Sequence, residues 1–135
     1  MAKTVDGRLV LPGGMAEYGK DRVVPEEATI TAAREACEEL GLCLSPKTLQ
    51  PMATISGEHP WNTDDAFAID TPFILDLTQL CDTRPSLVSN APGEIQEAFW
   101  MPMSDIAYAV PLSDYHRTLV DMATRHLGVA VTVII

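Results

Sequence analysis

The stretch Arg34-Glu35-Ala36-Cys37-Glu38-Glu39-Leu40-Gly41-Leu42 decides how this chain is read. Extended back to Pro25, it predicts an amphipathic helix over 25–40. Pro25 suits a first helical position, Glu26 and Glu27 fall in the first turn where the helix dipole favours anions, and Gly41 suits the residue just past the end. At about 100° per residue, Glu27, Glu35, Glu38 and Glu39 gather within roughly a third of the circumference. Ile30, Ala33, Cys37 and Leu40 take the opposite side. Carboxylates crowded at i,i+3 and i,i+4 repel one another and weaken an isolated helix. A hard divalent cation such as Mg²⁺, held by carboxylates, water and phosphate oxygens, reverses that penalty. A solvated acidic face is the competing reading of the same segment. Arg34, four residues before Glu38, stands where it can pair with it.

Working outward, Arg8 to Leu11 predicts a short strand stopped by Pro12-Gly13-Gly14, and Met15 to Val24 a loop. Downstream, Thr48 to Ile55 is a weak strand candidate interrupted by Pro51. Phe67 to Leu77 is a stronger one, with Pro72 marking an edge or bulge. A polar loop over 82–93 leads into a strand from Ile95 to Met101, and Ser104 and Asp105 suit the cap of a short helical turn. Ser113 to Leu127 predicts a final helix, with Asp114 at its start, Arg125 and His126 near its end and Gly128 beyond. The tail, Val129 to Ile135, is β-branched and strand-like. Strands and helices alternate irregularly, without repeat or linker, which predicts a single α/β (α+β) domain over 1–135 built as a mixed α/β sandwich.

The helical stretch resembles the Nudix box, a family signature written G-x5-E-x7-R-E-U-x-E-E-x-G-U with U a bulky aliphatic residue. Leu11-Pro12-Gly13-Gly14 matches the strand end and glycine pair that open the box. Arg34, Glu35, Glu38, Glu39, Gly41 and Leu42 match its second half, with Ala36 where a larger residue is usual. The resemblance implies a Nudix-like α/β/α sandwich with a mixed sheet, and a pyrophosphate-cleaving enzyme. It implies that Glu35, Glu38, Glu39 and Gly14 hold Mg²⁺ (or Mn²⁺), that Arg34 orients Glu38, and that Glu38, Glu39 and either Glu94 or Glu97 serve the chemistry. Two exposed glutamates at a strand start is the plainer reading of Glu94 and Glu97.

The box departs from the family spacing in one place: six extra residues lie between Gly14 and Arg34. Counted from the glycines, the early glutamate position is Lys20; counted from Arg34, it is Glu26; a helical wheel favours Glu27, because Glu26 projects towards the apolar side. Only twelve residues precede the glycine pair, fewer than family members carry, so an N-terminally shortened sheet is expected. The 129–135 tail is then expected to fill the missing strand, within the chain or exchanged in a homodimer.

The segment Trp61-Asn62-Thr63-Asp64-Asp65-Ala66-Phe67 is similar to the Arg-Asn-Thr-Asp-Asn-Ala-Trp stretch of an ADP-ribose pyrophosphatase branch, which also favours Leu-Pro-Gly-Gly-Met, here Leu11 to Met15. That similarity implies ADP-ribose as substrate, with Asn62 and Asp64 on ribose hydroxyls and Phe67 against the base. An Asx-rich turn is the alternative. Thr31-Ala32-Ala33-Arg34-Glu35, and Gly93-Glu94-Ile95 running into Phe99 to Met103, also resemble a coenzyme A pyrophosphatase branch. A Nudix-like module that binds a nucleotide without cutting it is a further alternative.

Composition narrows the classes. A net charge of −10 repels phosphate backbones, which argues against a nucleic-acid binder and leaves a small nucleotide neutralised by metal. Cys37, Cys43 and Cys81 form no Cys-x-x-Cys motif and read as reduced thiols, which suits a cytoplasmic protein. The longest apolar run is too short to span a bilayer, so no membrane partner is expected. His59, His116 and His126 show no metal-ligand spacing.

Overall fold

Ala2–Thr4 (β1), too short and polar to stand out in the sequence, is the middle strand of the larger sheet. The computed structural model describes residues 1–17, 26–52, 62–64, 69–77, 83–106, 108–109 and 112–127. Within them Leu9–Val10 (β2) pairs antiparallel with β1, Ala2 opposite Val10 and Lys3 opposite Leu9. On the other side Ile95–Ala98 (β5) pairs antiparallel with β1, setting Ala2 against Ala98 and Lys3 against Glu97, with a bulge before Thr4 meets Ile95. A separate antiparallel pair joins Gln50–Pro51 (β3) to Phe73–Ile74 (β4). Leu9 also makes a parallel bridge to Leu112, so the pairing is mixed in sense. With helices Ala28–Leu40 (α1), Met103–Ile106 (α2) and Asp114–Leu127 (α3), the architecture is the α+β arrangement expected.

The middle position of β1 bears on the expected shortening: the segment ahead of the glycine pair itself supplies the central strand. The 129–135 tail, expected in that role, lies outside the described residues. The larger sheet carries two apolar clusters. Ala2, Ile95 and Leu40 of α1 close one, with Val10, Leu42 and Leu87 packed against them. Ile106, Ala109, Leu112 and Val120 of α3 close the other, against Met1, Leu9 and Leu11. Ile95 and Leu112 are each 3% exposed, and burying such an aliphatic side chain contributes about 1.5–3 kcal/mol. Both ends of β2 thus rest on core, which fixes where the following glycine pair emerges.

The helices follow local chemistry. Ser113 caps α3, its Oγ accepting the His116 N–H at 3.3 Å, and Arg125 and His126 fall in the last turn as expected. Arg117 ties α3 to α2 by donating to the carbonyls of Ile106 and Ala109 at 3.1 and 2.6 Å. The strand readings hold in place but not in length. The Thr48–Ile55 and Phe67–Leu77 candidates keep only the two-residue β3 and β4 among the described residues, and the last candidate stops at Ala98.

Two expectations for α1 are corrected. The helix begins at Ala28, because Glu27 is extended (φ −64°, ψ 145°), so Glu26 and Glu27 precede the first turn instead of occupying it. Its buried face is Thr31, Ala33, Ala36, Glu39 and Leu40, while Ile30 is 43% exposed. A wheel groups residues by chemistry, but the neighbours choose the face, and here they enclose Glu39. The cysteine reading is corrected too: Cys37 and Cys43 are joined as a disulfide, their Cα atoms 4.3 Å apart. A helix that ends in a left-handed Gly41 (φ 68°) doubles back, which brings Cys43 alongside its last turn. Cys81 lies outside the described residues.

Candidate active site

The site begins at the guanidinium of Arg34. Its Nη2 donates to Glu26 Oε1 at 2.8 Å and to the Met15 carbonyl at 3.0 Å, and its Nε reaches Glu26 Oε1 at 3.3 Å. Its Nη1 donates to Glu35 Oε1 at 2.8 Å and to Glu38 Oε2 at 3.3 Å, with Glu17 Oε1 at 3.9 Å. Arg34 therefore pairs with Glu38, and with Glu26 and Glu35 as well. These contacts raise its own pKa, the Glu26 bond first among them. Arg34 in turn holds the Glu26 carboxyl below its ordinary range.

Of the two described positions open for the early glutamate, Glu26 and Glu27, Glu26 is the one that meets Arg34. Thr31 Oγ also donates to its Oε1 at 3.0 Å, and the Glu17 N–H does so at the same distance. The wheel failed here because Glu26 is not on the helix. Lys20 lies outside the described residues.

The glycine pair does different work at each position. Gly13 donates its N–H to Glu39 Oε2 at 3.0 Å. Gly14 lies against Glu35: a Cβ there would overlap the carboxylate, standing 2.5 Å from its Cδ. A side chain at 14 would make the Glu35 carboxylate turn aside from this position, so glycine permits the close approach. Since Val10 of β2 packs in the core, the strand delivers both glycines onto the carboxylate face of α1.

Glu39 is 7% exposed, so its charge is poorly solvated. Burial pushes its carboxyl up to about 7, reinforced by Glu35, Glu94 and Glu38 and opposed by the Gly13 N–H. Glu35 is raised for the same first reason, burial, with Arg34 opposing and Glu38 and Glu94 adding to it. Glu94, exposed in the turn before β5, thus projects its charge onto both Glu35 and the buried Glu39. Glu97 is exposed on β5 and faces Lys3 across the ladder. Asn62 and Asp64 are exposed, and Phe67 lies outside the described residues.

Among the described residues, no three His, Cys, Asp or Glu side chains converge closely enough to hold a metal ion as they stand. Arg34 Nη1 draws Glu35 and Glu38 to itself, and Gly13 engages Glu39. The donor set nevertheless fits a hard divalent cation. All its donors are oxygens, three carboxylates and the Gly14 carbonyl, and two of the carboxyls are pushed towards protonation by burial and mutual repulsion, which a cation relieves.

One positioning element was missed in the sequence. The loop leading to β5 covers the end of α1: Val88 N–H donates to the Leu40 carbonyl at 2.9 Å, and Asn90 N–H to that of Glu38 at 2.7 Å. Asn90 Nδ2 adds a bond to the Cys37 carbonyl at 3.0 Å. The last carbonyls of any helix need partners, but spacing alone does not say that a loop some fifty residues on supplies them.

No helix among the described residues is long and apolar enough to cross a membrane. No curated protein and no solved structure matches the chain. The family model described as NUDIX domain matches residues 2–121, spanning the glycine pair, the carboxylate helix, Glu94 and most of α3. With that match over well more than half its length, the chain belongs to the NUDIX domain family, as a pyrophosphohydrolase acting on the acid anhydride of nucleoside diphosphate derivatives.

Proposed function

We propose that the enzyme hydrolyses ADP-ribose to AMP and ribose 5-phosphate, with Mg²⁺ as its ion. The observation that carries the cleavage chemistry is Glu39: a carboxyl buried among other carboxylates and raised to about 7 is costly without a cation. The substrate rests on the likeness of Asn62, Thr63, Asp64 and Ala66 to the ADP-ribose branch.

Glu35, Glu38 and Glu39, with the carbonyl of Gly14, would hold the ion, which supplies charge neutralisation for the diphosphate and activation of water. Arg34 keeps Glu38 and Glu35 in place through the bonds described above, and Glu26 keeps Arg34. Gly13 holds Glu39 through its N–H. Glu94 is the base that takes the proton of the attacking water, because its charge acts on both Glu35 and Glu39. Glu97, opposite Lys3, is better suited to the strand ladder. Asn62 and Asp64 engage ribose hydroxyls, and Phe67 the base. Exchange of the β-branched 129–135 tail between two copies is the proposed route to a homodimer.

Incubation of pure protein with Mg²⁺ and ADP-ribose, followed by ³¹P NMR, tests the proposal. Appearance of AMP and ribose 5-phosphate supports it. Turnover of coenzyme A to 3′,5′-ADP and phosphopantetheine, with ADP-ribose left intact, replaces the substrate. Binding of either compound without turnover points to a non-catalytic module.

A further inference from the structure

Besides the core packing of Leu40 and the side-chain bonds of Glu38 and Glu39, two links among the described residues fasten the turn that carries them. One is the hydrogen-bonded cover from Val88 and Asn90. The other is covalent: Cys37, inside the last turn of α1, is bonded to Cys43, six residues on and past the reversal at Gly41. Cys37 directly precedes Glu38, and its carbonyl accepts both the Gly41 N–H and Asn90 Nδ2. The disulfide therefore closes a small ring around the point where helix, reversal and covering loop meet. Cys43 is exposed, so an external reductant can reach it, while Cys37 is half-buried.

We propose that the Cys37–Cys43 disulfide is a redox-responsive clamp on the carboxylate-bearing turn, and that its reduction by a dithiol loosens the turn and weakens divalent-cation binding. A thiolate of the reductant attacks Cys43 Sγ; the sulfur–sulfur bond breaks and its electron pair leaves on Cys37, which then takes a proton. The reductant's second thiolate displaces Cys43 from the mixed disulfide, and Cys43 is protonated in turn. The dithiol ends as its own disulfide, and the protein gains the matching pair of electrons and protons. Loss of the crosslink restores freedom to the unfolded chain and leaves the turn to its hydrogen bonds. The clamp itself does not depend on the proposed substrate; only its cation readout rests on the functional reading.

The test compares air-oxidised full-length protein with the same protein in dithiothreitol. Peptide mass mapping of the oxidised sample finds Cys37 linked to Cys43. Reduction lowers Tm by about 5–10 °C and weakens Mn²⁺ binding, read by electron paramagnetic resonance, about threefold or more. C37S/C43S melts like the reduced protein and ignores dithiothreitol, whereas C81S keeps the full response. The clamp is overturned by absence of the linked peptide, by an unchanged Tm on reduction, or by loss of the response in C81S. Absence of Mn²⁺ binding in both redox states overturns the cation half and the functional reading together, while the wild-type melting comparison still decides the clamp.

Discussion

Replacing Glu39 with glutamine stabilises the metal-free protein at about pH 8 and removes hydrolysis, so one substitution moves stability and activity in opposite directions. Burial and the charges of Glu35, Glu94 and Glu38 raise the Glu39 carboxyl from 4.5 to about 7. One pKa unit corresponds to about 1.36 kcal/mol, so keeping this group ionised in the fold costs on the order of 3 kcal/mol. Because the folded pKa lies above the unfolded one, folding favours the protonated form. The cost is absent below the unfolded value of 4.5, grows as pH rises, and is complete above about 7. Glutamine has the same shape, keeps an oxygen for the Gly13 N–H, and carries no charge to desolvate.

Urea titrations in EDTA measure the effect directly. E39Q is expected to exceed the wild type by about 1–3 kcal/mol at about pH 8, or about 5–10 °C in Tm, and to match it near pH 4.5. Adding Mg²⁺ raises the wild-type Tm and leaves that of E39Q nearly unchanged. Parallel pH profiles for the two proteins would refute the claim that Glu39 is a buried, charge-crowded carboxylate.

Three further perturbations separate the parts of the site. Arg34→Lys loses the fork that meets Glu26, Glu35, Glu38 and Met15 together; steady-state assay should show kcat down by about 10–100-fold with a stability loss of about 1–2 kcal/mol. Gly14→Ala places a methyl on the Glu35 carboxylate, so Mn²⁺ titration should show affinity weakened by about tenfold, and unchanged affinity would mean that the close approach of Gly14 does not position Glu35 for the ion. Removal of residues 129–135 should abolish cooperative unfolding in urea if that tail completes the sheet; a soluble, cooperative truncated protein removes the strand-exchange proposal.

How much of this was legible beforehand depended on whether the signal was local. The end of α1 at Gly41, the Arg34–Glu38 pair and the span of α3 were legible because caps and i,i+4 contacts are set within a few residues. Glu26 was misplaced because the helix was carried back to Pro25, whereas the extended Glu27 releases Glu26 to reach Arg34 from outside the helix. Glu39 was placed on the acidic face, opposite the apolar one, because a wheel counts charges, yet it is buried and held by the Gly13 N–H. Cys37 and Cys43 were read as free thiols because motif spacings describe metal and redox loops; the reversal at Gly41 is what brings them together. β1 escaped notice because three residues carry no periodicity, and its place comes from partners at both edges. Asn90 illustrates the same limit, since its task of covering the helix end arises only from the tertiary fold.

The central claim is that the carboxylates of α1 capture a hard cation beside a bound diphosphate. Crystals grown with Mn²⁺ and a non-hydrolysable ADP-ribose analogue test it most directly, by anomalous diffraction. The account predicts a manganese peak within bonding distance of Glu35, Glu38 and Glu39, with the analogue's phosphates on its open side. Well-ordered glutamates still turned onto Arg34 and Gly13, with no peak between them, would contradict it.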